Sequence, residues 1–169
     1  METAEAWELA CLSKKTPSII ALSRQGLPQL RIENRKENLS EAGGYILSEP
    51  AKEPIVTLMA SGSEVMIAEE ARTNLESISI PTRLVSVPCL DRLLKQSHSF
   101  IEKLRGPSKV IIAIEAGVEN GWSKIIGLNG HFIGMNSFGA SAPGETLYKY
   151  FGITSQAIID LAKNQLKQP

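Results

Sequence analysis

The chain has 169 residues, enough for one domain with an appended segment, and 43% of them are hydrophobic, which excludes a disordered chain. Its 18 basic residues balance its 18 acidic ones, so net charge gives no general grip on nucleic acid or an anionic membrane. Two cysteines, Cys11 and Cys89, form neither a disulfide framework nor a zinc pattern. They read as small buried residues of a cytoplasmic protein.

In chain order, residues 3–14 predict a helix. Thr3 would cap it, Glu5 would lie near its positive end, and Lys14 and Lys15 near its negative end. Trp7, Ala10 and Cys11 would share its apolar face. The apolar run 18–22 predicts a strand covered on both faces, ending at Ser23-Arg24-Gln25-Gly26. Residues 27–42 are polar and read as a connection. A helix and one strand make no core alone, so a domain boundary is placed there, dividing the chain into 1–34 and 35–169.

The second part alternates strands and helices. Strands are expected at 44–47, 55–60, 82–87, 109–114 and 131–135. Helices are expected from Ser63 to about 78, in turns over 91–104, at 122–126, at 144–151 and at 154–166. This order predicts an α/β three-layer sandwich with a mostly parallel five-stranded sheet and a right-handed crossover between its first parallel pair. No apolar run is long enough to span a bilayer, and the acidic start is unlike a signal peptide.

Ligands of such sheets bind beyond the carboxyl ends of the strands, which singles out four places. Arg24 follows an apolar strand, where its guanidinium suits a phosphate or an ion-pair partner. Ser61-Gly62-Ser63 opens a helix, and Ser63 as its cap is preferred to an anion site. Pro88-Cys89-Leu90-Asp91 follows the third strand. Glu115 is either a general acid or base, or an acceptor for amides of the glycine turn after it; the structural role is preferred. His98 and His131 are isolated, so no metal site is assigned. Met59, Met66 and Met135 read as core filler, and Trp122 as core or interface. The small residues at 137–144 would let another backbone approach closely.

Three stretches carry a family resemblance. Ile20-Ala21-Leu22-Ser23-Arg24-Gln25-Gly26-Leu27-Pro28 resembles the end of the transketolase pyrimidine-binding domain. Glu115-Ala116-Gly117 through Gly121-Trp122 resembles part of its C-terminal domain. Phe138-Gly139-Ala140-Ser141-Ala142-Pro143-Gly144 through Phe151-Gly152-Ile153-Thr154 resembles its C-terminal signature. The resemblance implies the C-terminal part of a homodimeric enzyme that moves a two-carbon ketol unit between ketose and aldose phosphates in the pentose phosphate pathway. Thiamine diphosphate and a divalent cation (Mg or Ca) would serve the whole enzyme. It implies that Arg24 contacts the substrate phosphate, although Gly26 departs from the asparagine of many members. The family's Gly-Asp-Gly metal-diphosphate motif does not occur in this chain. The resemblance places the activating glutamate and the substrate-binding histidines upstream. No catalytic, cofactor or metal residue is therefore assigned, and the fragment alone is expected to be inactive and to bind no cofactor. The alternative is a separate C-terminal binding or assembly subunit of a split transketolase or related thiamine enzyme.

Overall fold

The five residues Val56–Ala60 (β2) are all buried, as are Thr82–Ser86 (β3) and Val110–Ile114 (β4). Strands covered on both faces must be apolar nearly throughout, which is why these runs show no alternation. A computed structural model describes residues 1–32 and 36–167, and in it these strands form the middle of a five-stranded sheet. Tyr45–Ser48 (β1) and His131–Ile133 (β5) are its edges, in the order β1-β3-β2-β4-β5. β2 runs parallel to β3 and β4, with Leu58 opposite both Leu84 and Ile112. β5 is parallel to β4. β1 is antiparallel to β3, with an irregularity between Ile46 and Ser48. The α/β, mostly parallel five-stranded architecture expected from the sequence is the one observed.

Alternate residues of each central strand feed two cores. Val56, Leu58 and Ala60 face the helix Glu64–Ser77 (α2) and the C-terminal helix Ser155–Leu166 (α7), through Ala68, Leu75, Ile158 and Ala162. Met59, Val85 and Ala113 face the other layer: Leu90–Leu93 (α3), His98–Arg105 (α4) and Trp122–Ile126 (α5). Trp122 is fully buried there, so it is core. The stretch read as helical turns is two helices, the second capped by Ser97, which accepts from the Phe100 amide at 3.2 Å. Gly144–Tyr150 (α6) lies just before α7.

The first 32 residues depart from expectation. Residues 18–22 form no strand: Ile19 is 97% exposed and Leu22 62%. An isolated strand leaves its N–H and C=O groups unpaired, and among the described residues none pairs with this run. The helix Glu2–Leu12 (α1) has Met1 rather than Thr3 at its cap position and ends before Lys14 and Lys15. Its partly covered positions are Glu2, Glu5, Ala6, Leu9 and Ala10, whereas Trp7 and Cys11 are exposed. The helix therefore docks largely through carboxylates. Cys89 is only half-buried, so neither thiol is the core residue expected. Met59 fills one core and Met135 packs against the other, but Met66 is 42% exposed. The proposed boundary between 34 and 35 lies outside the described residues.

Candidate functional site

The crossover from β2 leads through α2 to β3 on one side, and the next returns past β2 to β4 on the other. The ends of β2 and β4 are thus the switch point, where open α/β sheets hold ligands. Here the position is filled from within. Glu64, in the first turn of α2, is 6% exposed. Its Oε1 accepts from the Ser63 hydroxyl at 2.8 Å and from the Tyr148 hydroxyl of α6. Its Oε2 accepts from the Ala116 amide beyond β4 at 3.3 Å. The Tyr148 oxygen also lies 3.0 Å from Ser63 Oγ. Burial first, and then the hydrogen bond to Glu64, push the Tyr148 phenol up to about 12.

This arrangement corrects two expectations. Ser63 does not cap α2 through its side chain; its hydroxyl serves Glu64. Glu115 does not collect the amides of its glycine turn either. It accepts from the Trp122 indole Nε1, while the Ala116 amide goes to Glu64. Glu64 and Tyr148 were missed because a glutamate in a first helical turn has an ordinary explanation in the helix dipole. The separation of 84 positions between Glu64 and Tyr148 hides their contact from local spacing.

Arg24 lies in an exposed loop with no regular secondary structure. Its neighbour Gln25 lies over the start of α6: a Cβ placed on Gly144 would come within 3.2 Å of Gln25 Nε2. What the small-residue turn at 137–144 meets, at its last residue, is this side chain and not the backbone expected. Farther along, Arg31 anchors the same segment. Its Nη2 pairs with Glu5 Oε1 at 2.6 Å, and its guanidinium lies 4.9 Å from the Tyr45 ring centre. Glu5 also accepts from Ser40 Oγ at 2.6 Å. Glu2 accepts from the hydroxyls of Tyr45, at 2.8 Å, and Ser86. Burial, then the neighbouring Glu2 carboxylate, push the Tyr45 phenol well above its ordinary value.

A cleft of about 290 Å³ lies between α1, residues 27–31, β1 and the start of α2, with Met66 and Ser63 on its wall; Arg24 does not line it. His98 is exposed on α4, and its Nε2 lies 3.7 Å from Glu102. His131 is half-buried at the start of β5. Among the described residues, no three His, Cys, Asp or Glu side chains converge so as to hold a metal ion. No helix of the described residues is long and apolar enough to cross a membrane.

The family model described as the transketolase-like C-terminal domain matches residues 43–154. The transketolase of Rhodobacter capsulatus is 43% identical over 98% of this chain and 26% of its own length. The chloroplastic transketolase-1 of Arabidopsis thaliana is 44% identical over 96% of this chain and 22% of its own. The chain thus spans about a quarter of the length of the curated relatives it matches. Among solved structures, transketolase from Leishmania mexicana superposes with a TM-score of 0.83 at 32% identity, over 98% of this chain and 24% of that one. A Pichia stipitis transketolase in complex with sedoheptulose-7-phosphate gives 0.81 at 33%, over 97% and 23%. A split-gene transketolase, an inactive β4 tetramer, shares the fold with a TM-score of 0.67 at 18% identity, over 85% of this chain and 48% of that one. Sheet order, domain match and relatives along nearly the whole chain agree, and the chain belongs to the transketolase family.

Proposed function

We propose that this chain is the C-terminal part of an enzyme that transfers a two-carbon ketol unit between ketose and aldose phosphates, and that Arg24 binds the substrate phosphate. The supporting observation is the Arg24 loop itself. It presents an exposed arginine beside Gln25, whose side chain lies over the start of α6, on a segment that Arg31 pins to Glu5 farther along. A guanidinium binds a phosphate through two parallel charge-assisted hydrogen bonds, which fixes orientation as well as charge. The whole enzyme would work as a homodimer. Thiamine diphosphate would supply its carbanion chemistry through a cation-held diphosphate. With no converging donor set among the described residues, this part of the chain does not fit that group. No step is assigned to its residues beyond binding and orienting the phosphate end of the sugar.

The test is Arg24→Ala in the assembled enzyme, meaning this chain together with the remainder of the transketolase. Losing hydrogen bonds to a charged group costs about 1.5–3 kcal/mol, roughly a ten- to hundredfold rise in KM for phosphorylated sugars. The KM for an unphosphorylated substrate should stay where it was. Equal effects on both classes would refute the phosphate contact.

A further inference from the structure

We propose that Glu64 and Tyr148 are positioning residues for the Arg24 loop, acting through α6 and Gln25. The inference rests on the reading of Arg24 as the phosphate contact and goes one step further, to what holds that contact in place.

α6 has seven residues and none of them is buried. A helix this short does not persist on its own propensity and depends on tertiary anchors. Tyr148 is such an anchor. Its ring packs against the core that α2 and α7 share, and its hydroxyl reaches the nearly buried Glu64 carboxylate. Ser63 and the Ala116 amide fix that carboxylate in turn. The opposite end of α6 begins at Gly144, and the atoms facing the position of its absent Cβ belong to Gln25. Residues 21–30 are exposed and have no helix or strand to hold them. The loop is therefore only as well placed as the contacts it rests on. The Arg31–Glu5 pair holds the chain beyond it. Next to Arg24, Gln25 lies over the start of α6, which Tyr148 ties to the switch point. Misplacing a substrate-orienting group by a fraction of an ångström weakens binding to that group without touching the chemistry.

The test measures KM and kcat in the assembled enzyme with phosphorylated and unphosphorylated substrates. Tyr148→Phe and Glu64→Ala should each raise KM for phosphorylated sugars about three- to tenfold, with kcat and the unphosphorylated KM within about twofold of the parent. Glu64→Gln keeps an oxygen for the Tyr148 hydroxyl but turns an NH2 on the Ala116 amide, and should fall between the parent and Glu64→Ala. Gly144→Val leaves the buried network alone but pushes directly on Gln25, and should give the same split. An unchanged phosphorylated KM in Tyr148→Phe and Gly144→Val, with Arg24→Ala still raising it, overturns the positioning role and leaves the phosphate contact standing. Equal rises for both substrate classes in Tyr148→Phe and Gly144→Val overturn it as well. If Arg24→Ala itself does not discriminate, the phosphate contact falls and the positioning role falls with it.

Discussion

Glu5 shows how much one side chain can hold when its partners are distant in sequence. It is 26 residues from Arg31 and 35 from Ser40, and it joins both to α1. Burial raises its pKa, but hydrogen bonds from Ser40 and Arg31 and the guanidinium charge outweigh that, leaving it below its ordinary 4.5. A depressed carboxylate stabilises the folded arrangement above its unfolded value, and the effect is lost as pH falls through the folded value. Protection factors of the α1 amides in hydrogen exchange should therefore be about tenfold higher in the parent than in Glu5→Gln at neutral pH. The gap should narrow as pH falls below the ordinary carboxylate range and through the lower folded value of Glu5. Equal protection at neutral pH would show that α1 is held by something else. Nothing in local spacing marks Glu5 for this task, since an acidic residue near a helix start is expected in any case.

Elements were legible in proportion to how locally their burial is determined. The runs at 56–60, 82–86 and 110–114 read as covered strands, and they are. The run at 18–22 has the same texture but forms no strand and stays largely exposed, because a strand is completed by a neighbour and not by its own residues. The entry to β1 depends on one backbone position. Gly43 has φ +89°, and a Cβ there would lie 2.3 Å from the Leu93 nitrogen and 2.5 Å from the Cys89 oxygen. Neither backbone atom can swing aside. Gly43→Ala should cost at least about 2 kcal/mol in chemical unfolding. Gly26→Ala, with nothing within 4 Å, serves as the neutral comparison. If the two variants unfold alike, the tight approach of α3 to Gly43 is not what it is described to be.

At the scale of the whole molecule, residues 36–167 build the sheet and its helices, while residues 1–32 lie on that body with much apolar surface outward. Trp7, Leu12, Ile19, Leu22 and Ile32 are each more than half exposed, more than isolated surface residues usually account for. This fits a chain that spans about a quarter of its relatives. The fold class could be read from the strand–helix alternation, whereas the phosphate role proposed for Arg24 is carried by a family segment. The self-filled switch point could not be read, because it joins residues of three separate elements. Calorimetry of this chain with thiamine diphosphate and magnesium should give no binding heat. A micromolar Kd, about −8 kcal/mol, would place a cofactor site within it after all.

The carboxylate of Glu64 at the end of β2 has a further consequence. A ligand tied to the chain is present at an effective concentration that a dissolved competitor does not match. A dissolved phosphate or carboxylate that would take the Ser63 hydroxyl or the Ala116 amide must therefore displace Glu64 from them first.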